Sequence, residues 1–99
     1  MKKDNLFFLN NLREIIDERK KSPRKGSYTS ELFRDGIDKI TQKVGEESVE
    51  LVIAAKNQSK KRIIEETADL VYHVWVLLAE KEIEIDDVIG ELEKRHKRP

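Results

Sequence analysis

The 99-residue sequence contains no cysteine. That excludes disulfides, thiolate nucleophiles and cysteine-ligated zinc together. Histidine is scarce, and His73 and His96 are too few for a histidine-rich metal centre. Long apolar runs are also missing. The longest mostly apolar stretch, Leu70 to Ala79, is ten residues and is interrupted by His73, about half of the roughly 20 needed to span a bilayer. The opening Met1-Lys2-Lys3-Asp4 leads into a segment carrying Asp, Glu and Arg, which is not the pattern of a signal peptide. The expectation is a soluble, cytoplasmic protein. Neither charge is in excess, with 20 Lys and Arg against 20 Asp and Glu, so nothing points to nucleic acid or a membrane surface as partner.

The length suits one domain spanning residues 1–99. A domain this small buries only about 60–65% of the surface its unfolded chain exposes, so the core is thin and burial against a second copy would help. Charged residues make up 40% and hydrophobic residues 37%, with four glycines and two prolines, a mix that favours helices. Leu6, Phe7, Leu9, Leu12, Ile15 and Ile16 recur at three- and four-residue steps and predict a helix from Asp4, its N-cap, to about Lys21. The basic stretch from Lys21 to Thr29, with Pro23 and Gly26, reads as a loop. A short turn of helix is expected from Ser30 to Asp35, ended by Gly36. Two long helices follow, Ile37 to Asn57 and Lys60 to Lys81, with Ser59 as N-cap of the second. The second half of the latter, "LVYHVWVLLA", is apolar nearly all round and should lie at the centre. A last helix is expected from Asp87 to His96, capped by Asp86 or a neighbour. The fold class is therefore all-α, a bundle of four to five helices with short antiparallel connections.

Carboxylates sit where this pattern calls for apolar residues. On a helical wheel, Ile40, Val44, Leu51 and Ala54 fall within roughly 60° of Glu47, so Glu47 lies inside the apolar seam. Glu50 flanks it about 60° to one side, and Lys43, Lys39 and Glu46 continue round that edge. On the next helix, Glu66, Asp69 and His73 share one face. Two acidic pairs of i, i+3 spacing, Glu47/Glu50 and Glu66/Asp69, could thus face each other across an antiparallel hairpin. Four converging carboxylates repel one another, and burial worsens this. Lys43 offsets part of it. A hard divalent cation, Mg²⁺ or Mn²⁺, does so best, and it leaves room for water and phosphate. That is a layout for attack of water on a phosphoanhydride, with one metal or two. The ordinary reading of a single ExxE on a charged helix is a solvated face, and of a lone His73 a hydrogen-bonded core histidine. The loop "PRKGSYT" would suit a polyphosphate, but taken alone it reads as a solvated linker.

ExxE on one helix and ExxD on the next, here Glu47-Ser48-Val49-Glu50 and Glu66-Thr67-Ala68-Asp69, is the arrangement of the MazG-like all-α nucleotide pyrophosphohydrolases. From about Leu6 to His96 the chain closely resembles one branch of them, the phosphoribosyl-ATP pyrophosphohydrolase family. The blocks "SYT", "KVGEE", "AAKN" and "EETADLVYH", in this order and spacing, carry the resemblance. It implies a MazG-like bundle dimerising through helices, and Mg²⁺-assisted hydrolysis of phosphoribosyl-ATP to phosphoribosyl-AMP and pyrophosphate. It also implies a form without the cyclohydrolase domain found fused in many relatives. Glu47, Glu50, Glu66 and Asp69 would be metal ligands, with Glu46 a further ligand or the group that orients water. Lys39 and Lys43 would meet phosphate. Ser27, Tyr28 and Thr29 would contribute to substrate binding, and Asn57 and His73 match with less defined roles. The family implies homodimers or larger homo-oligomers, with sites where two chains meet.

Two other functions compete with this reading. A house-cleaning pyrophosphatase of the same fold would turn over noncanonical or ordinary nucleoside triphosphates, although the "SYT" and "DLVYH" blocks speak against it. A non-catalytic dimeric helical module would lose no activity on Glu47→Gln and would gain stability.

Overall fold

The computed structural model describes residues 5–97, and among them all regular structure is helical. Asp4, expected to cap the first helix, and the side chain of Leu6 lie outside what is described. Five helices follow in order: α1 (Asn5–Lys21), α2 (Tyr28–Asp35), α3 (Ile37–Lys56), α4 (Lys60–Glu80) and α5 (Ile85–Arg95). Helices α3 and α4 pair along their length as the expected hairpin, and α1 and α2 pack across its base.

Two helix starts differ from the sequence expectation by two residues, and the ends of α3, α4 and α5 fall within one residue of it. Helix α2 starts at Tyr28 rather than Ser30, because Ser27 caps it by accepting from the Ser30 N–H. Tyr28 and Thr29 are therefore helical, and the loop is shorter than expected. Its backbone is tied, with Ser27 N–H donating to the Arg24 carbonyl (3.0 Å) and Arg24 N–H to the buried Ser30 hydroxyl (3.0 Å). Helix α5 starts at Ile85 rather than Asp87. Glu84 is its N-cap without a side-chain capping bond, and Asp86 and Asp87 lie in the first turn, where carboxylates favour the helix dipole. Ser59 caps α4 as expected, accepting from the Arg62 N–H.

The core is small. Ile16, Leu32, Ile40, Val76 and Ala79 are fully buried where α1, α2, the start of α3 and the end of α4 meet, with Leu12, Phe33, Tyr72, Trp75 and Leu77 packed around them. Helix α4 is central, but only His73, Val76 and Ala79 are buried on it. Its other apolar residues from Leu70 to Leu78 are half-buried. At the hairpin tip Val49, Val52, Ile53 and Ile64 are more than half exposed. Among the described residues α5 forms no extensive contact with another helix, and its Val88, Ile89 and Leu92 are exposed in a stripe. The radius of gyration, 15.1 Å, exceeds the roughly 13 Å of a self-contained domain of 100 residues.

Candidate functional site

The hairpin sets the register of the acidic groups. Ile40 and Ala54 are buried on α3, and Glu47 lies between them on the same seam, its side chain only 12% exposed. Burial of Val76 and His73 on α4 turns the preceding two turns of that helix toward α3. Glu66 is likewise 12% exposed. As a result Glu47, Glu66 and Asp69 each offer a carboxylate oxygen, and the three lie within 4.8 Å of one another. Two oxygens on one Mg²⁺ can be at most about 4.2 Å apart, a spacing small side-chain rotations reach. Three hard oxygen donors this close fit a divalent cation of the Mg²⁺ or Mn²⁺ type.

The remaining carboxylates of α3 point elsewhere. Glu50 is outside the three-residue group, half exposed and 3.8 Å from Arg62, which also donates to Glu66 at 3.0 Å. Glu46 is exposed, accepting from Gln42 (2.8 Å) and lying 3.3 Å from the Lys43 ammonium. The Gln42 bond and then the Lys43 bond hold its carboxyl below the usual range. Lys43 also reaches Glu47, at 3.5 Å. Desolvation alone would pull Lys43 down, but the Glu46 hydrogen bond and the fields of Tyr28, Glu46 and Glu47 outweigh it, and the ammonium is raised above its ordinary value.

Helix α2 closes one side. Capping by Ser27 fixes its first turn, so that Tyr28 points at α4 and its hydroxyl lies 2.8 Å from His73 Nε2. Thr29 Oγ1 is hydrogen-bonded to the Tyr72 hydroxyl, and the Tyr28 and Tyr72 rings stack with centroids 6.4 Å apart. Burial raises the Tyr28 phenol. Lys43 opposes this, while Tyr72, Glu47 and Asp69 add to it. His73 is buried, and its Nδ1 lies 2.7 Å from the Asp69 carbonyl oxygen.

Of the residues singled out in the sequence, Lys43, Glu47, Glu66, Asp69, Tyr28 and His73 thus come together. Ser27 and Thr29 support them, and Glu46 and Glu50 stand at the rim. Lys39 is one turn before Lys43, half-buried. Asn57 is the C-cap of α3, ten residues or about 15 Å along the helix from Glu47, and within one chain it does not join the cluster. Sequence reasoning missed Arg62. The signal for Arg62 was its position four residues before Glu66, where ion pairs form on a helix. Nothing in the spacing marked the Thr29–Tyr72 bond.

A family model described as phosphoribosyl-ATP pyrophosphohydrolase matches residues 9–96. A phosphoribosyl-ATP pyrophosphatase of Clostridium botulinum is 52% identical over 90 residues, covering 91% of this chain and 82% of that protein. One of Lactiplantibacillus plantarum is 54% identical over 84 residues, covering 85% and 79%. A bifunctional histidine-biosynthesis protein of Caldanaerobacter subterraneus is 54% identical over 95 residues. There the match covers 96% of this chain and 46% of the relative, so the chain spans about half of that protein's length.

Proposed function

The chain belongs to the phosphoribosyl-ATP pyrophosphohydrolase family, and from this we propose that it hydrolyses phosphoribosyl-ATP to phosphoribosyl-AMP and pyrophosphate, the second step of histidine biosynthesis. The observation that carries the site assignment is the convergence of Glu47, Glu66 and Asp69. We assign these three as ligands of Mg²⁺ or Mn²⁺, with Glu50 a fourth once its side chain leaves Arg62. When bound, the ion supplies positive charge against the triphosphate and the departing pyrophosphate.

The chain's own residues do the rest. Lys43, held by Glu46 and Glu47, presents its ammonium to a phosphate oxygen, with Lys39 behind it. Glu46 orients Lys43, and Glu47 accepts a hydrogen of the attacking water. Ser27 and Thr29 build the wall that carries Tyr28. The exposed apolar face of Val49, Val52, Ile53 and Ile64 adjoins the cluster, and we assign it to a homodimer, in which Asn57 of a second copy is brought toward the site. Sedimentation of Ile53→Asp beside the parent chain tests this, with a shift to monomer expected. The setting we propose is cytoplasmic.

The test of the reaction is pyrophosphate release from phosphoribosyl-ATP, with Mg²⁺ and then with EDTA, for the parent chain and Glu47→Gln. Metal-dependent release that falls at least about 100-fold in the variant supports the reading. Absence of release by folded, Mg²⁺-supplied protein overturns it, and turnover of dUTP or dCTP at least as fast would favour the house-cleaning activity.

A further inference from the structure

The basic loop before α2 borders a cavity of about 600 Å³, between the end of α1, the loop, α2 and the end of α4. Its lining includes Lys20, Arg24, Lys25, Glu31, Phe33 and Glu80, and none of the proposed metal ligands. Glu80 is eleven residues, or about 16 Å along α4, from Asp69. A cavity of this size takes a small metabolite.

The lining has the chemistry for a sugar phosphate. With Arg34 added, four cations stand against two carboxylates, so the cavity is net positive. Arg34 is engaged by Asp35 at 3.3 Å. Among the described residues Arg24 and Lys25 pair with no carboxylate, and Glu31 and Glu80 with no cation, although all four line one space. Lys20 is fixed. Its ammonium donates to the Ala79 and Glu80 carbonyls, at 3.0 and 3.3 Å, and lies 5.9 Å from the centre of the Phe33 ring. An ammonium has three hydrogens, which leaves Lys20 one to give. Arg24 is held by its N–H on the buried Ser30 hydroxyl, and the turn over Lys25 and Gly26 is closed by the Ser27 N–H on the Arg24 carbonyl. A backbone tied in this way loses less freedom when a ligand binds.

Arg and Lys give phosphate charge-assisted hydrogen bonds. Ionised carboxylates only accept, so Glu31 and Glu80 repel a bare phosphate but suit the hydroxyls of a sugar attached to one. We propose that the cavity binds a phosphorylated ribose, its phosphate on Arg24, Lys25 and Lys20, its hydroxyls on Glu31 and Glu80, and its ring face on Phe33. Two sources carry that group. One is the phosphoribosyl end of the substrate held at the carboxylates, and this source rests on the proposed reaction. The other is a separate ribose phosphate from solution. Helix α2 adjoins both places, because its Tyr28 and Thr29 bond to His73 and Tyr72 of α4.

The test is a titration of the Mg²⁺-free parent chain with ribose 5-phosphate, followed by amide NMR, with ribose as the control. Saturable shifts at Lys25, Gly26, Phe33 and Arg34, absent with ribose, are expected. The double variant Arg24→Gln, Lys25→Gln should bind at least about tenfold more weakly, and its own spectrum reports that it is folded. No saturable shift, shifts confined to Lys43 and Glu47, or unchanged affinity in the double variant overturns the proposal. Kinetics of pyrophosphate release tell the sources apart. Inhibition by ribose 5-phosphate that phosphoribosyl-ATP relieves, with KM raised in the double variant, supports the site as the seat of the substrate's own phosphoribosyl group. A change in rate that persists at saturating substrate supports it as the seat of a separate ligand. Failure of the parent chain to release pyrophosphate would sink the reaction assignment and leave the NMR result standing.

Discussion

Arg62 donates to Glu66 across one helical turn, Nη2 to Oε2 at 3.0 Å. The same guanidinium is 3.8 Å from Glu50. One cation therefore neutralises a member of the three-carboxylate group and also holds aside the carboxylate that would make a fourth. A unit charge at about 4 Å is worth about 1 kcal/mol in water-like surroundings, and Arg62 is half exposed. Arg62→Gln should thus tighten Mg²⁺ by about threefold to tenfold, read by calorimetric titration. Weaker binding would mean that Arg62 holds Glu66 in place for the ion rather than competing with it.

The pair at the rim predicts an acid and an alkaline limit. Glu46 is held below the usual carboxylate range in the fold, by Gln42 first and Lys43 second. Its contribution to stability is therefore present above the unfolded value and is lost as pH falls through the folded one. Lys43 is raised, so its contribution is complete below the ordinary lysine value and is lost as pH rises through the folded one. Between about pH 5 and pH 9 both are constant. An NMR titration should find the Glu46 carboxyl titrating below the ordinary range of glutamates, and Gln42→Ala should move it upward. A Glu46 that titrates with the others would remove the restraint proposed for Lys43.

Far from the cluster, Arg13 ties the α4–α5 connection to α1. It is buried, donates to the Ile83 carbonyl at 2.8 Å and pairs with Asp17 at 3.1 Å. Among the described residues its Nη1 is buried without a partner, so part of the gain is offset. Arg13→Ala should cost about 2 kcal/mol, or roughly 8–16 °C in melting temperature for a domain of this size. Metal affinity of the folded protein should not change. An equal fall in Mg²⁺ affinity would mean that α5 and the cluster are coupled.

Much of this was legible in the sequence, for a physical reason. A helix has one period, and Glu47 breaks it. A carboxylate at an apolar position needs an explanation that a surface carboxylate does not, and the i, i+3 pairs located its counterparts on α4. Periodicity could not say how far each side chain turns. Glu50 and Glu47 are three apart, yet one faces the cluster and the other Arg62. The helix starts at Tyr28 and Ile85 were misplaced because several residues could cap, and the chain uses Ser27, through its side chain, and Glu84, without a side-chain bond. The Tyr28–His73 bond joins residues 45 apart in sequence. It depends on the angle between α2 and α4, which no local pattern encodes.

That angle is set in part by Gly36, and two glycines near the site should respond oppositely to alanine. Gly36 caps both neighbours, its N–H bonding to the Leu32 carbonyl and its carbonyl accepting from Ile40. It has φ 92° and ψ −172°, a region open essentially to glycine alone. Space is not the obstacle, since a Cβ there would meet nothing within 4 Å. Strain is, and Gly36→Ala should cost about 1–3 kcal/mol. Rotation of α2 against α3 would relieve the strain, so Tyr28 should shift from His73 and turnover should fall as well. Gly45 lies inside α3 with open space at its Cβ. There alanine removes only backbone entropy from the unfolded chain, and Gly45→Ala should stabilise by up to about 1 kcal/mol with kcat unchanged. Chemical denaturation and turnover on the two single variants check both signs. Loss of activity in Gly45→Ala without loss of stability would show that substrate approaches the α3 backbone there more closely than a methyl group allows.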